Sequence, residues 1–141
     1  MLKIEFEAPA RCLVIRVLSG PKTEQDWALG LASFLLLDDE AHRQNKDGIA
    51  FIVVEPNAER PNSTWRRKLA EQRKQYKAKD RWLILVTDSL LFRGVLRAVN
   101  WLAPPAINER NFVTASIQEG VAQAEAWRGE AIPVLRGLLG S

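Results

Sequence analysis

The chain has 141 residues, of which 47% are hydrophobic and 26% are charged. This composition excludes a disordered chain and predicts one domain with a substantial core. A net charge of +3 excludes a uniformly basic protein.

Two features of the sequence predict the cellular location of the protein. They are the single cysteine, Cys12, and the absence of long apolar runs. A lone cysteine rules out an internal disulfide, and its apolar neighbours predict a buried thiol in a reducing, cytoplasmic location. The first seven residues alternate in polarity without a signal-peptide core, and no apolar stretch approaches the roughly 20 residues of a membrane helix. We therefore expect no membrane span.

The first third of the chain predicts a strand hairpin followed by a helix. Residues 2–7 and 12–18 are rich in strand-forming residues, and the short connector 8–11 suits a hairpin. Thr23 and Asp26 predict a capping box at the start of the helix. Because carboxylates oppose the dipole at a helix C-terminus, the acidic residues 38–40 predict the end of this helix. The only histidine, His42, would then lie in a polar loop, with a turn at 45–48.

Two continuous apolar runs, residues 49–54 and 82–86, predict central strands covered on both faces. Each run is followed by a polar segment and a helix, over residues 63–78 and 89–102, and Pro104 with Pro105 ends the second helix. Residues 111–115 predict a last strand, and Ser116 with Glu119 predicts a capping box for a helix that ends near Arg128.

The predicted order is β-β-α-β-α-β-α-β-α. This order indicates an α/β fold in a single domain, with a mixed, mostly parallel sheet of about five strands and the first strand antiparallel at an edge. We expect the domain to cover residues 1–131 and residues 132–141 to form an apolar C-terminal tail.

This order resembles the STAS fold of anti-sigma-factor antagonists, including divergent STAS-like proteins, over residues 2–128. The resemblance is carried by the strand hairpin and by four segments: residues 12–20, residues 49–54, Thr87-Asp88-Ser89, and Phe112-Val113 before Ser116-Ile117-Gln118-Glu119. It implies a bacterial signalling domain that is not an enzyme and acts through protein contacts with a regulator or kinase.

In the regulatory members of that family, the loop after the central strand carries an acid-Ser-Ser/Thr-Gly motif whose serine is phosphorylated. Ser63 falls at the phosphoacceptor position of this chain. Asn62 stands in place of the acid and Trp65 in place of the glycine, and the loop 55–61 is longer and contains prolines.

The start of the helix at residue 63 is the first candidate site. Polar and basic side chains near open backbone N–H groups suit an anion, a phosphate or an acidic protein surface. The candidate phosphoacceptor or anion site is formed by Asn62, Ser63, Thr64, Arg66 and Arg67. The alternative is an ordinary helix cap, with positive charge that opposes the helix dipole.

The end of the second central strand provides a second candidate site, at Asp88, Ser89 and Arg93. Ligands of α/β folds bind beyond the carboxyl ends of the strands, and those of adjacent parallel strands share one edge. We therefore expect both candidate sites at a common edge. Here too the alternative is a helix cap.

The basic charge of the chain is concentrated in one segment, residues 66–81, which holds eight lysines and arginines against Glu71 and Asp80. A nucleic-acid-binding module is one interpretation. A solvated helix face is the favoured one, because Trp65 and Tyr76 have the spacing of core residues.

The sequence predicts no catalytic site, no cofactor and no metal. Cys12 and His42 form no recognisable pair, and no phosphate-binding loop or metal-ligand cluster is present in the sequence.

Late in the chain there is an apolar surplus, at Trp101, Pro104, Pro105, Trp127, Leu135, Leu138 and Leu139. It predicts either a tail packed on the body of the domain or a homodimer interface.

The favoured interpretation is a regulatory protein-interaction domain. The alternatives are a domain that binds a small ligand or lipid headgroup near Asp88, Ser89 and the helix 89–102, a nucleic-acid-binding module, and an enzyme of unrecognised type.

Overall fold

A computed structural model describes residues 1–78, 80–102 and 109–140, and for residues 99–102 it describes the backbone alone. The elements are β1 (Leu2–Glu7), β2 (Cys12–Val17), α1 (Glu24–Gln44), β3 (Asp47–Val54), α2 (Ser63–Lys74), β4 (Asp80–Val86), α3 (Leu90–Leu102), β5 (Glu109–Thr114), α4 (Ile117–Arg128) and α5 (Pro133–Leu139). Lys79, Pro104 and Pro105 lie outside the described residues.

The five strands form one sheet in the order β1-β2-β3-β4-β5. β1 pairs with β2 antiparallel, and every other pair is parallel, with β1 at an edge. The single α/β domain with a mixed, mostly parallel five-stranded sheet is therefore confirmed.

The two faces of the sheet carry two separate cores. Leu13, Ile15 and Val17 of β2 pack toward α1, α2 and α3 on one face. Cys12 and Val14 of the same strand pack toward α4 and α5 on the other face. Because side chains alternate along a strand, the continuous apolar runs supply both cores at once.

Helix α4 approaches the sheet closely at Gly120. A Cβ atom there would lie 3.0 Å from Ile84 Cγ2 and 3.0 Å from Phe51 Cζ. Only a residue without a side chain permits this spacing, so Gly120 sets the depth at which α4 packs.

The acidic residues 38–40 do not end α1, which continues to Gln44 and includes His42. The prediction that these residues end the helix, with His42 in a loop, was wrong. Asp38 is buried, and its Oδ1 accepts hydrogen bonds from the backbone N–H groups of Lys77 and Ala78, both at 3.1 Å. The carboxylate therefore caps the α2–β4 connection, a tertiary role that outweighs its unfavourable position in α1.

We expect Asp38→Ala to lower the free energy of unfolding by about 1–3 kcal/mol, because two backbone N–H groups lose their acceptor. Asp38→Asn retains Oδ1 and should cost less. The exposed neighbour Asp39 provides the matched control. Urea denaturation checks the series, and equal losses for Asp38→Ala and Asp39→Ala would contradict the capping role.

The C-terminal segment forms α5 and packs against the second core. Leu135 is completely buried, as is nearly all of Ile132, whereas Leu139 is 43% exposed. The ring centroid of Trp127 lies 6.0 Å from that of Trp82 and 6.5 Å from that of Phe112. Most of the described late apolar residues thus serve core packing, while the side chain of Trp101 lies outside the described part.

Candidate functional site

The first core contains a cavity of about 140 Å³ between the sheet and helices α1, α2 and α3. Its lining is mainly apolar and draws on all five strands and all three helices, including Trp27, Phe34, Ile52, Trp65, Leu83 and Val95. A cavity of this size and character holds a molecule as large as benzene.

The cavity is open to solvent. Ile52 and Leu83 lie on the central strands β3 and β4, beneath the helices, yet both are only half-buried. Their sequence neighbours Phe51 and Ile84, which face the other side of the sheet, are completely buried. Among the described residues, the helices therefore cover the middle of this face incompletely.

One part of the cavity wall is polar and is built from Arg73, Arg81, Glu109 and Asn111. Arg73 Nε lies 2.9 Å from Glu109 Oε2, and the two side chains are 7% and 4% exposed. Arg81 and Glu109 face each other in the parallel register of β4 and β5. The polar wall thus lies where these two strands begin.

Arg81 is the unusual residue of this wall. Its guanidinium carbon lies 5.1 Å from the ring centroid of Phe34 and 4.9 Å from that of Tyr76. Among the described residues, its Nη1 is buried without a hydrogen-bond partner. Burial lowers the pKa of Arg81, while Tyr76 and Glu109 act in the opposite direction. An arginine stays protonated in proteins, so the wall contains a cation whose Nη1 has no acceptor among the described residues.

The sequence contained a signal for this residue that the prediction missed. Arg81, Leu83 and Leu85 alternate along β4 and share the face covered by α1–α3, whereas Trp82, Ile84 and Val86 share the face covered by α4 and α5. A charged residue in phase with inward-facing leucines lies at the border of a core. The interpretation of residues 66–81 as a solvated helix face is therefore wrong for Arg81.

At the first predicted site, Asn62 is the N-cap of α2, with its Oδ1 accepting a hydrogen bond from Trp65 N at 3.1 Å. Ser63 and Thr64 are exposed in the first turn. Arg66 donates to the carbonyl of Pro61 at 2.8 Å, whereas Arg67 is exposed. A separate depression of about 260 Å³ lies here and is lined by Ser63, Thr64, Arg67, Lys68 and Glu71.

At the second predicted site, Ser89 caps α3, with its Oγ accepting from Phe92 N at 3.2 Å. Arg93 donates through Nη2 to the carbonyl of Thr87 at 3.2 Å, and Asp88 is exposed. β3 and β4 are adjacent and parallel, so their carboxyl ends do lie at one edge. The cavity, however, is lined by Phe92, Val95 and Leu96 of α3 and not by Asp88 or Ser89.

The basic segment 66–81 is not one continuous solvated face. Arg73 and Arg81 line the cavity, and Lys79 is outside the described residues. Lys68 lies over the Trp65 ring with its Nζ 4.2 Å from the centroid. The charge available to nucleic acid on α2 is therefore smaller than the sequence indicated.

Cys12 is completely buried, and burial raises the pKa of its thiol to about 12. The thiol is therefore neutral near pH 7 and is a poor nucleophile.

Within the described ranges, no group of three or more His, Cys, Asp or Glu side chains could hold a metal ion. No described helix has both the length and the apolar character needed to cross a bilayer.

No protein-family model, no curated protein and no solved structure matches this chain.

Proposed function

We propose that this protein is a ligand-binding domain that holds a small, mainly apolar molecule in the cavity between the sheet and helices α1–α3. The observation that carries the proposal is a solvent-accessible apolar cavity in the centre of the fold. Binding sites for small molecules are concave and mostly apolar, with a few polar groups that orient the ligand. The cavity combines an apolar lining with the polar wall of Arg73, Arg81, Glu109 and Asn111.

Two tryptophans, Trp27 and Trp65, line the cavity and report on its occupancy. We expect toluene or indole to raise the melting temperature of the protein, and toluene to change its tryptophan fluorescence, because a ligand that binds the native state stabilises it. Leu83→Phe should fill the cavity and abolish both effects while the protein remains folded.

Leu139→Phe adds the same bulk at an exposed position and provides the control. If neither probe shifts the melting temperature of the wild-type protein up to its solubility limit, the cavity is not a binding site.

A second candidate function is regulation through protein contacts, as the resemblance to anti-sigma-factor antagonists implies. It is favoured by Leu90 and Leu91 at the start of α3, which are 79% and 64% exposed. α2 and α3 begin after the carboxyl ends of adjacent strands, so the exposed Arg67 and Lys68 belong to the same end of the domain. Exposed apolar side chains rimmed by charge are typical of interaction surfaces.

Phosphorylation of the exposed Ser63 would place negative charge in the first turn of α2, where the helix dipole favours it.

We expect Leu90→Ser combined with Leu91→Ser to weaken capture of a partner from a lysate of the source cell, with Leu29→Ser and Leu36→Ser on exposed α1 positions as the control. Identical sets of captured proteins for both double variants would contradict this candidate. The homodimer stays a prediction.

A further inference from the structure

The polar wall of the cavity restricts which small molecules the proposed binding site would hold. An inference from this wall rests on the proposed ligand-binding function. The wall holds two guanidinium groups, Arg73 and Arg81, and one carboxylate, Glu109. Arg73 and Glu109 are joined by their 2.9 Å ion pair. Asp38 also acts on Arg81 electrostatically, but it does not line the cavity. The wall itself thus carries an excess of one positive charge.

One nitrogen of the Arg81 guanidinium is available as a hydrogen-bond donor. Nη1 of Arg81 is buried and lacks an acceptor within the described part of the chain. The aromatic rings of Phe34 and Tyr76 flank its guanidinium but provide no strong acceptor, and the Tyr76 hydroxyl donates to the carbonyl of Asp80 at 3.1 Å. A buried charged donor without an acceptor is costly, and an anionic oxygen would remove that cost.

The geometry favours a carboxylate over a phosphate. A phosphate dianion needs several donors, whereas Nη1 of Arg81 is the single nitrogen of this wall found without an acceptor among the described residues, and Arg81 is paired in register with the acidic Glu109. A monoanion with two oxygens accepts from a guanidinium with short, charge-assisted hydrogen bonds. The remainder of the cavity is apolar and suits a ring-sized body.

We propose that the cavity binds a small organic acid whose single carboxylate is held by Arg81 and whose apolar body, about the size of a benzene ring, fills the space beneath α1, α2 and α3. Arg81 is then the residue that determines specificity for the acid. The apolar lining sets the size of the body.

The test compares phenylacetate with phenylacetamide, its neutral counterpart of nearly the same shape, by titration calorimetry near pH 7. We expect wild-type protein to bind phenylacetate about tenfold or more tightly than phenylacetamide, because the charge-assisted bond exists only for the acid. Arg81→Met should bind the two equally. Arg136→Met removes an exposed arginine of α5, on the opposite face of the sheet, and should leave the preference intact.

Toluene binding separates the two proposals. If toluene binds but phenylacetate has no advantage over phenylacetamide, the acid specificity is wrong and the apolar site stands. If neither toluene nor phenylacetate binds, the proposed function fails as well. Should Arg81→Met not fold, Arg81→Lys keeps the charge but not the planar fork, and it should retain a reduced preference for the acid. A preference for phenylacetate that persists undiminished in Arg81→Met, or in Arg81→Lys where Arg81→Met does not fold, would overturn the role of Arg81.

Discussion

Replacing Arg128 by alanine is expected to lower the free energy of unfolding by about 3–5 kcal/mol, the cost of breaking a buried ion pair from one side. Arg128 ends α4, and its side chain is 4% exposed. Its Nε and Nη2 lie 3.0 Å and 2.5 Å from Asp47 Oδ2. Its Nη1 donates to the carbonyl of Ala10. One side chain therefore ties α4 to the β1–β2 turn and to the first residue of β3.

The loss of Arg128 would not be compensated by Arg11. Arg11 Nη2 lies 3.6 Å from Asp47 Oδ1, and its Nε is engaged by the carbonyl of Asp47 at 2.7 Å. Arg11 would thus remain a distant partner for a carboxylate left largely unpaired.

Arg136→Ala is the matched control for Arg128→Ala. Arg136 pairs with Glu125 through two contacts of 2.9 Å, but its side chain is 60% exposed. Exposed pairs contribute little, so this variant should unfold near the wild-type midpoint. Denaturation of both variants with urea checks the difference. A loss at Arg128 no larger than at Arg136 would show that the network at Asp47 is not a stabilising element.

The second large effect is expected at Leu135 of α5, where alanine should cost about 2–5 kcal/mol through lost burial and a residual cavity. Leu135 is fully buried in the core formed with α4 and the second face of the sheet. Leu139, four residues later on the same helix, is 43% exposed, and its replacement by alanine should change stability by less than about 0.5 kcal/mol.

Thermal and urea denaturation of the two leucine variants test whether α5 is part of the domain. Removing residues 132–141 should lower the free energy of unfolding more than either substitution. The truncation deletes three core side chains at once, those of Ile132, Leu135 and Leu138. A truncated chain that unfolds with the wild-type midpoint would show that residues 132–141 form a dispensable tail.

The fold was predictable where the local pattern and the tertiary environment agree. The runs 49–54 and 82–86 are apolar at consecutive positions because both faces of β3 and β4 are covered by helices. The capping box of Thr23 and Asp26 is present as expected, since it involves backbone groups only three residues apart. Such features need no knowledge of distant parts of the chain.

Predictions failed where a polar side chain has a partner other than the one that its place in the helix suggests. Asp38 was expected at a helix end because of the local dipole, yet it is held by the backbone of Lys77 and Ala78. Glu119 was expected to complete a capping box with Ser116, but its Oε2 accepts from the Thr114 hydroxyl at 2.6 Å. A polar side chain satisfies whichever group folding brings near, and local spacing does not reveal that group.

Some parts of the candidate site were predictable from the sequence and others were not. The hydroxyl and amide residues that follow β3 and β4 were recognisable from sequence, and Asn62 and Ser89 cap helices there. The cavity was not recognisable from the sequence. It lies between three helices and the sheet, so it depends on how these elements pack and not on a local pattern of residues. The alternation of Arg81 with Leu83 and Leu85 distinguishes it from the other basic residues, but its place opposite Glu109 follows only from the strand register.

The sequence alone thus determined the order of the strands and helices, the mixed sheet and the edge position of β1, because hydrophobic periodicity and turn residues act over short distances. Only the tertiary structure decided that α5 belongs to the core and that Arg73, Arg81 and Glu109 meet at one wall of an apolar cavity. Those contacts depend on strand register and helix packing, which join residues far apart in the chain and leave no local pattern.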